Sequence, residues 1–203
     1  MKKPTVLIPM QNPPENYLFA LKLVGIDYIC DFSPKNLQDF YGLLLTGGGD
    51  FLSSFYKRNV DCHKVNVLRD VNEFKILDYF FKRNAPILGV CRGMQIINLY
   101  LGGDLKTTDG HQSTNGEDVY HPIFSSSSFL DGLHTVNSNH RQCVNKLSPL
   151  AKEICLSNDG IVEGFSFKNV LAVQFHPERI DAKSISLVYG KFANLVNDYF
   201  KLL

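Results

Sequence analysis

The sequence predicts an α/β protein with an open, mainly parallel sheet flanked by helices. Three observations lead to this prediction. Short apolar strands alternate with helix-like segments, one strand runs into a Gly-x-Cys-x-Gly turn followed by a helix-like pattern, and another strand runs into three consecutive glycines. Alternating strands and helices are typical of right-handed βαβ units, whose strands lie parallel. Ligands bind at the carboxyl ends of the strands in such folds.

The alternating elements lie in the first half of the chain. Strands are predicted at residues 6–10, 27–30, 42–45 and 87–90, and helices at residues 16–24 and 70–82. Between Gly103 and Phe175 the sequence changes to turns and short alternating strands, which predicts a short antiparallel region in the second half. A closing amphipathic helix is expected at residues 184–203. With 203 residues, the chain is expected to form one domain, residues 1–203.

Composition narrows the classes of function. Lys and Arg total 21 against 20 Asp and Glu, so a net charge of +1 gives no electrostatic reason to expect nucleic acid or an anionic membrane as partner. The longest apolar run is too short to span a bilayer. Five scattered cysteines form neither a disulfide framework nor a CxxC pattern, which favours a reducing cytoplasm. We expect no cofactor and no metal. The spacing of the histidines does not suggest a metal site; those considered are His63, His111, His121 and His134.

The most informative segment is the pentapeptide Gly89-Val90-Cys91-Arg92-Gly93. It has the form of a nucleophile elbow, in which a strained turn between strand and helix exposes a nucleophile and glycines leave room for the backbone. The positive end of the following helix favours a thiolate at Cys91. The alternative is a buried structural cysteine at a tight turn. Two further signals favour the nucleophile.

The first of these signals is an apolar strand that ends at His176, with Pro177 and Glu178 directly after it. Proline stops the strand and bends the chain, so a histidine and a carboxylate two residues apart can meet. The carboxylate would hold one imidazole nitrogen while the other faces the thiol, as in catalytic triads. A histidine at a strand end is otherwise a simple polar cap.

The second signal is the run Thr46-Gly47-Gly48-Gly49-Asp50, which follows a buried strand. Acyl transfer needs N–H donors directed at the developing oxyanion, and glycines let the backbone approach the substrate closely. A tight loop without a ligand is the alternative. The position of the glycine run in the chain, ahead of the elbow and the His-Pro-Glu segment, favours a role in the site.

Together these motifs resemble those of the class I glutamine amidotransferase-like hydrolases, and more closely the γ-glutamyl-γ-aminobutyrate hydrolase group, peptidase family C26. The agreeing segments are residues 69–73, 91–98, 101–105, 136–142, 158–164 and 174–178. The resemblance implies a flavodoxin-like fold with Cys91 as nucleophile, His176 as base and Glu178 as its orienting acid. It also implies an oxyanion hole formed by the backbone N–H groups of Gly48 and Arg92.

Candidates for binding the glutamyl group lie on the elbow helix and in a later segment. Gln95 lies four residues past Cys91 and therefore on the same helix face. The matching glutamine contacts the substrate in related enzymes, whereas the alternative is a buried amide. Ser138, Asn139 and His140 are expected to bind the α-ammonium and α-carboxylate, which both need partners once they leave water.

Candidates for binding the leaving group are basic. Arg141 follows the Asn139-His140 pair, and Arg69 precedes the elbow; Arg69 is otherwise expected to form a structural ion pair with Asp70. Lys57 and Arg58 are an ordinary solvated pair with a small chance of phosphate contact.

We therefore predict a cysteine-dependent hydrolase that cleaves a γ-glutamyl amide through a thioester and releases L-glutamate. The short chain and the Asn-His-Arg segment, where a His-His pair is common, resemble γ-glutamyl-CDP-amidate hydrolases of bacterial capsule phosphoramidate biosynthesis. Polyamine-derived γ-glutamyl-γ-aminobutyrate is the alternative substrate.

An alternative function stays open, because a glutaminase subunit that feeds ammonia to a synthase would use the same residues. Intact Cys91, His176 and Glu178 argue against a non-catalytic binding module. The sequence leaves the oligomeric state open.

Overall fold

The computed structural model describes residues 3–55, 62–112, 115 and 117–203. Within these ranges the helices are α1 (Glu15–Leu23), α2 (Val67–Lys82), α3 (Arg92–Tyr100) and α4 (Ala182–Leu202). The strands are β1 (Thr5–Ile8), β2 (Asp27–Cys30), β3 (Gly42–Leu45), β4 (Ile87–Val90), β5 (Asp104–Thr107), β6 (Val119–Ser125), β7 (Thr135–Ser138), β8 (Gln142–Lys146), β9 (Lys152–Ser157), β10 (Val162–Phe167) and β11 (Val170–Val173).

The main sheet has the strand order β2-β1-β3-β4-β11-β10-β9-β6-β7. The strands from β2 to β11 in this order pair in parallel, and those from β11 to β7 pair antiparallel. β5 and β8 form a separate antiparallel pair. The predicted α/β sheet is confirmed. The antiparallel region is larger than predicted, because it continues the same sheet with β10, β9, β6 and β7.

Helices cover both faces of the parallel half. Successive side chains of a strand point to opposite faces, so Val6 and Ile8 of β1 pack on the side of α1 and α4, whereas Leu7 packs on the side of α2 and α3. A strand that is buried on both faces reads as a continuous apolar run, as β3 and β4 do. Among the described helices, none is both long enough and apolar enough to cross a membrane.

Two helices begin before the predicted residues because side chains cap them. α2 begins at Val67, where the Asn66 side chain accepts a hydrogen bond from the Arg69 N–H at 3.0 Å. α4 begins at Ala182, where Asp181 accepts one from the Ser184 N–H at 2.7 Å. Both caps satisfy N–H groups that have no partner inside the helix.

Gly93, in the first turn of α3, allows this helix to lie directly against β3. A Cβ atom built at Gly93 would overlap the carbonyl group of Leu45 at the end of β3. Because both groups are backbone, neither can yield without moving the strand or the helix. Gly190 in α4 differs, since the nearest atom to its Cβ position is the Ser186 hydroxyl at 3.9 Å.

We expect opposite effects from one substitution at these two glycines. Gly93→Ala should lower the free energy of unfolding by about 3 kcal/mol, because the overlap separates α3 from β3. Gly190→Ala, the matched control, should raise it by up to about 1 kcal/mol through better helix propensity. Chemical denaturation measures both values. Similar changes in the two variants would contradict the proposed backbone contact.

Candidate active site

Three predicted motifs meet at one edge of the sheet. β3, β4 and β11 are adjacent and parallel, so their carboxyl ends lie side by side. The glycine turn follows β3, the elbow follows β4, and the segment leading to His176 follows β11. Strand order thus brings together residues that are far apart in sequence.

Cys91 occupies the elbow in a strained conformation, with φ 53° and ψ −108°. A positive φ is uncommon for residues other than glycine. Its N–H donates to the Val173 carbonyl at 2.8 Å, which extends the pairing of β4 and β11 by one residue. Its own carbonyl accepts from Met94 and Gln95 at the start of α3. The strand and the helix therefore constrain the same residue from both sides.

His176 connects Cys91 to a carboxylate. Its Nδ1 lies 2.7 Å from Glu178 Oε1, and its ring borders the same cavity as Cys91, close enough for the two side chains to interact electrostatically. The other carboxylate oxygen of Glu178 accepts from the Tyr189 hydroxyl at 3.2 Å. All four side chains are buried. Tyr189 was not predicted, because its spacing in α4 is that of an ordinary core residue.

The charges around His176 favour its protonated form. Burial alone lowers the pKa of His176, but the neighbouring Cys91 and Glu178 together outweigh burial and raise that pKa to about 10. A positively charged imidazole beside a cysteine is the arrangement that cysteine nucleophiles require.

Tyr17 of α1 links the glycine turn to His176. Its hydroxyl accepts from the Gly47 N–H at 2.9 Å and lies 3.3 Å from His176 Nδ1. Burial, followed by the negative charges of Glu178 and Cys91, raises the pKa of Tyr17 well above its usual value, so the hydroxyl stays neutral. Like Tyr189, Tyr17 has no motif in the sequence that indicates this role.

Buried ion pairs fix the glycine turn against the elbow helix. Arg92 pairs with Asp70 and Glu73, and Arg69 pairs with Glu73 at 2.7 Å. Arg69 also donates to the Gly47 carbonyl at 3.1 Å. The expected Arg69–Asp70 pair is thus wrong. Arg69 and Asp70 are adjacent in α2, but Arg69 pairs with Glu73 whereas Asp70 pairs with Arg92.

The two predicted oxyanion donors come from the glycine turn and from the start of α3. Gly48 borders the same cavity as Cys91. Arg92 begins α3, so its N–H belongs to the first turn, where helix N–H groups lack partners within the helix. A Cβ at Gly48 would collide with the Arg69 guanidinium, which shows that Arg69 packs directly behind the turn.

A cavity of about 560 Å³ opens beside Cys91. Both halves of the fold contribute to its walls, which include Cys91, Gln95, Asn139, His140, Arg141 and His176. Three candidates for binding the glutamyl group (Gln95, Asn139, His140) and one for the leaving group (Arg141) are therefore brought together.

Gln95 and Ser138 are held by other parts of the protein. Gln95 Nε2 donates to the Gln142 carbonyl at 2.8 Å and to Gln174 at 3.2 Å, while the side chain still borders the cavity. The Ser138 hydroxyl is buried and donates to the His111 carbonyl at 2.9 Å; it does not border the cavity.

The basic residues predicted to bind the leaving group differ in their position relative to the cavity. Arg141 borders the cavity and pairs there with Asp50 at 2.8 Å, whereas Arg69 lies behind the glycine turn and not on the cavity wall. Lys64, which sequence reasoning missed, also borders the cavity. Lys57 and Arg58 lie outside the described residues.

Comparison with known proteins identifies the family. Residues 31–178 match the family model described as Peptidase C26. A γ-glutamyl-CDP-amidate hydrolase of Campylobacter jejuni is 31% identical over 189 residues, which cover 87% of this chain and 86% of that protein. The chain belongs to the Peptidase C26 family. It is accordingly a glutamine amidotransferase-like hydrolase.

Two further comparisons agree with this family. A candidate glutamine amidotransferase of Schizosaccharomyces pombe is 31% identical over 165 residues, 72% of this chain; the chain spans 64% of that protein's length. The solved structure of a candidate GMP synthase component from Thermoplasma acidophilum aligns with a TM-score of 0.77 and 20% identity, covering 100% of this chain and 98% of that one. This last likeness shows a shared fold.

This C26 protein also contains a group of side chains that could hold a metal ion. His111, His121 and Glu163 place one ligand atom each within 4.8 Å of one another. The three residues come from separate segments, so their spacing in the sequence did not reveal the group.

We expect His176→Gln to slow alkylation of Cys91 by iodoacetamide at pH 7 by about tenfold or more, because the thiolate loses the opposite charge beside it. Peptide mass spectrometry follows each cysteine separately. Cys30 in β2 is the internal control; burial raises its pKa, and its slower alkylation should not change. An unchanged ratio of Cys91 to Cys30 modification would show that His176 does not activate the thiol.

Proposed function

We propose that this protein is a cysteine-dependent hydrolase that cleaves γ-glutamyl amides and releases L-glutamate. The observation that supports this most is that Cys91 and His176 border the same cavity and that Glu178 lies 2.7 Å from His176 Nδ1. A strained nucleophile, a base and an orienting carboxylate beside a glycine turn are the parts that acyl transfer to a thiol requires.

In the first step, the Cys91 thiolate attacks the γ-carbonyl carbon. The oxyanion that forms is stabilised by the backbone N–H groups of Gly48 and Arg92. Protonated His176 gives its proton to the departing nitrogen, so the C–N bond breaks and a glutamyl thioester remains on Cys91. His176 then removes a proton from water, which attacks the thioester and restores the thiolate–imidazolium pair.

The glutamyl group would bind along the elbow helix. Gln95 lies four residues past Cys91 on the cavity wall, and Gln142 and Gln174 fix its amide nitrogen. Asn139 also borders the cavity, and its amide nitrogen donates to Asp118 at 3.1 Å. Fixed amides suit a free amino acid head group, because both of its charges need partners in a confined site.

We further propose that the leaving group carries a phosphoryl group on the scissile nitrogen, as in γ-glutamyl-CDP-amidate. The name of the Campylobacter relative and the basic side chains of Lys64, Arg141 and Arg179 on the cavity wall support this choice. Arg and Lys bind phosphates through charge-assisted hydrogen bonds. The carboxylate of γ-aminobutyrate is the alternative anion.

A panel of γ-glutamyl compounds tests the reaction, with glutamate release as readout. Wild-type protein should turn over at least one N-phosphoryl or N-alkyl member, and Cys91→Ala should abolish this turnover because no thioester can form. Turnover retained by Cys91→Ala would refute the mechanism. If glutamine is the only substrate, and a synthase strongly accelerates its hydrolysis, the protein is instead a glutaminase subunit.

Arg141→Ala should lower kcat/KM for the phosphorylated substrate about ten- to hundredfold and hardly affect a neutral γ-glutamyl amide. Steady-state kinetics on both substrates measure the difference. Arg83→Ala is the matched control, because Arg83 packs on Tyr79 at the end of α2 and does not border the cavity.

The Arg141→Ala variant also has an indirect effect, which has to be distinguished from the loss of phosphate binding. Loss of Arg141 leaves Asp50 without that partner, and a free carboxylate would itself repel a phosphoryl group. The double variant Arg141→Ala/Asp50→Asn removes this repulsion. A selective loss that persists in the double variant supports direct phosphate binding by Arg141, whereas equal losses on both substrates contradict it.

A further inference from the structure

Three histidines surround one buried carboxylate behind the cavity wall. His111 Nδ1, His121 Nε2 and His140 Nε2 each lie 3.6 Å from Glu163 Oε1. Glu163 is fully buried, and His111 and His140 are each 4% exposed. The cluster is separate from Cys91, His176 and Glu178, and the proposed chemical steps do not use it, although one of its members, His140, also borders the substrate cavity.

Most of the polar atoms at its centre lack hydrogen bonds. Among the described residues, none donates to either oxygen of Glu163, and His121 Nε2 and both ring nitrogens of His140 are also without hydrogen-bond partners. A buried carboxylate without compensation costs several kcal/mol, and unpartnered buried polar groups are rare in native proteins. Lone pairs that converge in this way form a site suited to a positively charged group.

Hydrogen bonds at the far sides of two rings orient these rings toward this centre. His111 Nε2 lies 3.1 Å from Asp159 Oδ2, and His121 Nδ1 lies 3.2 Å from the Pro122 carbonyl. Both partners accept, so these nitrogens carry protons and His121 Nε2 is left with a lone pair that faces Glu163. His111 Nδ1 faces Glu163 and also lies 3.1 Å from the Ser138 hydroxyl, so a metal ion would replace a proton on this nitrogen. Carboxylate and carbonyl partners of this kind hold the histidine ligands of metal sites.

From this geometry we infer a buried site for a divalent transition metal such as zinc. His111 Nδ1, His121 Nε2 and Glu163 Oε1 are its three protein ligands. Zinc binds nitrogen and oxygen at about 2.0–2.2 Å, so tetrahedral ligands stand about 3.3–3.5 Å apart. The 3.6 Å from Glu163 Oε1 to His111 Nδ1 and to His121 Nε2 is close to this spacing, and the three ligand atoms all lie within 4.8 Å of one another. Imidazole-rich ligands exclude magnesium and calcium, which prefer oxygen.

The metal would fix one wall of the substrate cavity. His121 lies in β6, Glu163 in β10, His111 in the segment after β5, and His140 between β7 and β8. His140 also borders the cavity. One ion would join the three segments that carry His111, His121 and Glu163, and would neutralise Glu163. Because it would tie separate segments together away from Cys91, the role that we infer is structural.

Untagged protein, purified by gel filtration after growth with zinc, should contain about one equivalent of zinc by mass spectrometry of the metal. Zinc added to the chelator-treated protein should raise Tm by about 5–10 °C when it exceeds Kd a hundredfold. Repeating the titration in Cys91→Ala excludes metal bound at the Cys91–His176 pair.

Glu163→Gln and His121→Ala should reduce bound zinc at least tenfold. His134→Ala is the matched control, because His134 is exposed and lies outside the cluster. Cobalt(II) added to the zinc-free Cys91→Ala protein, whose cluster is unaltered, should give the intense visible absorption of a tetrahedral site, and this readout does not depend on whether the cluster variants fold.

Two results would overturn the proposal. One is a Cys91→Ala protein that retains no metal, shows no shift in Tm with zinc and gives no tetrahedral cobalt spectrum; the cluster would then be a carboxylate balanced by a protonated histidine. The other is an equal zinc content in Glu163→Gln, His121→Ala and the His134→Ala control, which would place the metal elsewhere.

Discussion

The backbone of Cys91 is the constraint on which the rest of the site depends. A residue with a side chain pays about 1–3 kcal/mol to adopt such a conformation, and it persists only where its surroundings determine it. Here the β11 carbonyl holds its N–H and the first turn of α3 holds its carbonyl. Gly89 and Gly93 leave the space for this turn, since a Cβ at either position would overlap backbone atoms. Packing of the parallel sheet therefore maintains the strain that directs Cys91 into the cavity.

The buried charges behind the elbow determine geometry more than stability. Arg92, Asp70, Glu73 and Arg69 are all buried, and desolvating such pairs offsets much of their attraction. Removing one partner, however, leaves a buried charge uncompensated at a cost of about 3–5 kcal/mol. Because Arg69 also bonds to the glycine turn and Arg92 begins α3, the network sets the distance between the two oxyanion donors that we propose. A neutral core would not specify that distance as narrowly.

Patterns along the sequence predicted those features that depend on residues close together in the chain. The strands β2, β3 and β4 were predicted at their observed bounds. β3 and β4 are continuous apolar runs between turn residues, whereas β2 is an edge strand that is only partly buried. Cys91, His176 and Glu178 were found from motifs at strand ends. Tyr17, Tyr189 and the exchange of ion pairs between Arg69 and Arg92 were missed. These depend on which helix faces lie together in three dimensions, and neither periodicity nor spacing along the chain records that. The histidine cluster was missed for the same reason.

The parallel and antiparallel halves of the sheet supply different parts of the proposed site. The parallel half holds the proposed reacting groups at adjacent strand ends, where strand order leaves little freedom. The antiparallel half supplies Asn139, His140 and Arg141, which border the cavity from loops. Asn137 of β7 joins the halves, since its side chain accepts from the His176 N–H at 3.0 Å. Changes in the antiparallel loops can therefore alter the cavity wall at Asn139, His140 and Arg141, while Lys64 and Arg179 of the parallel half keep their places on that wall. The leaving-group pocket that we propose is accordingly built by both halves of the chain.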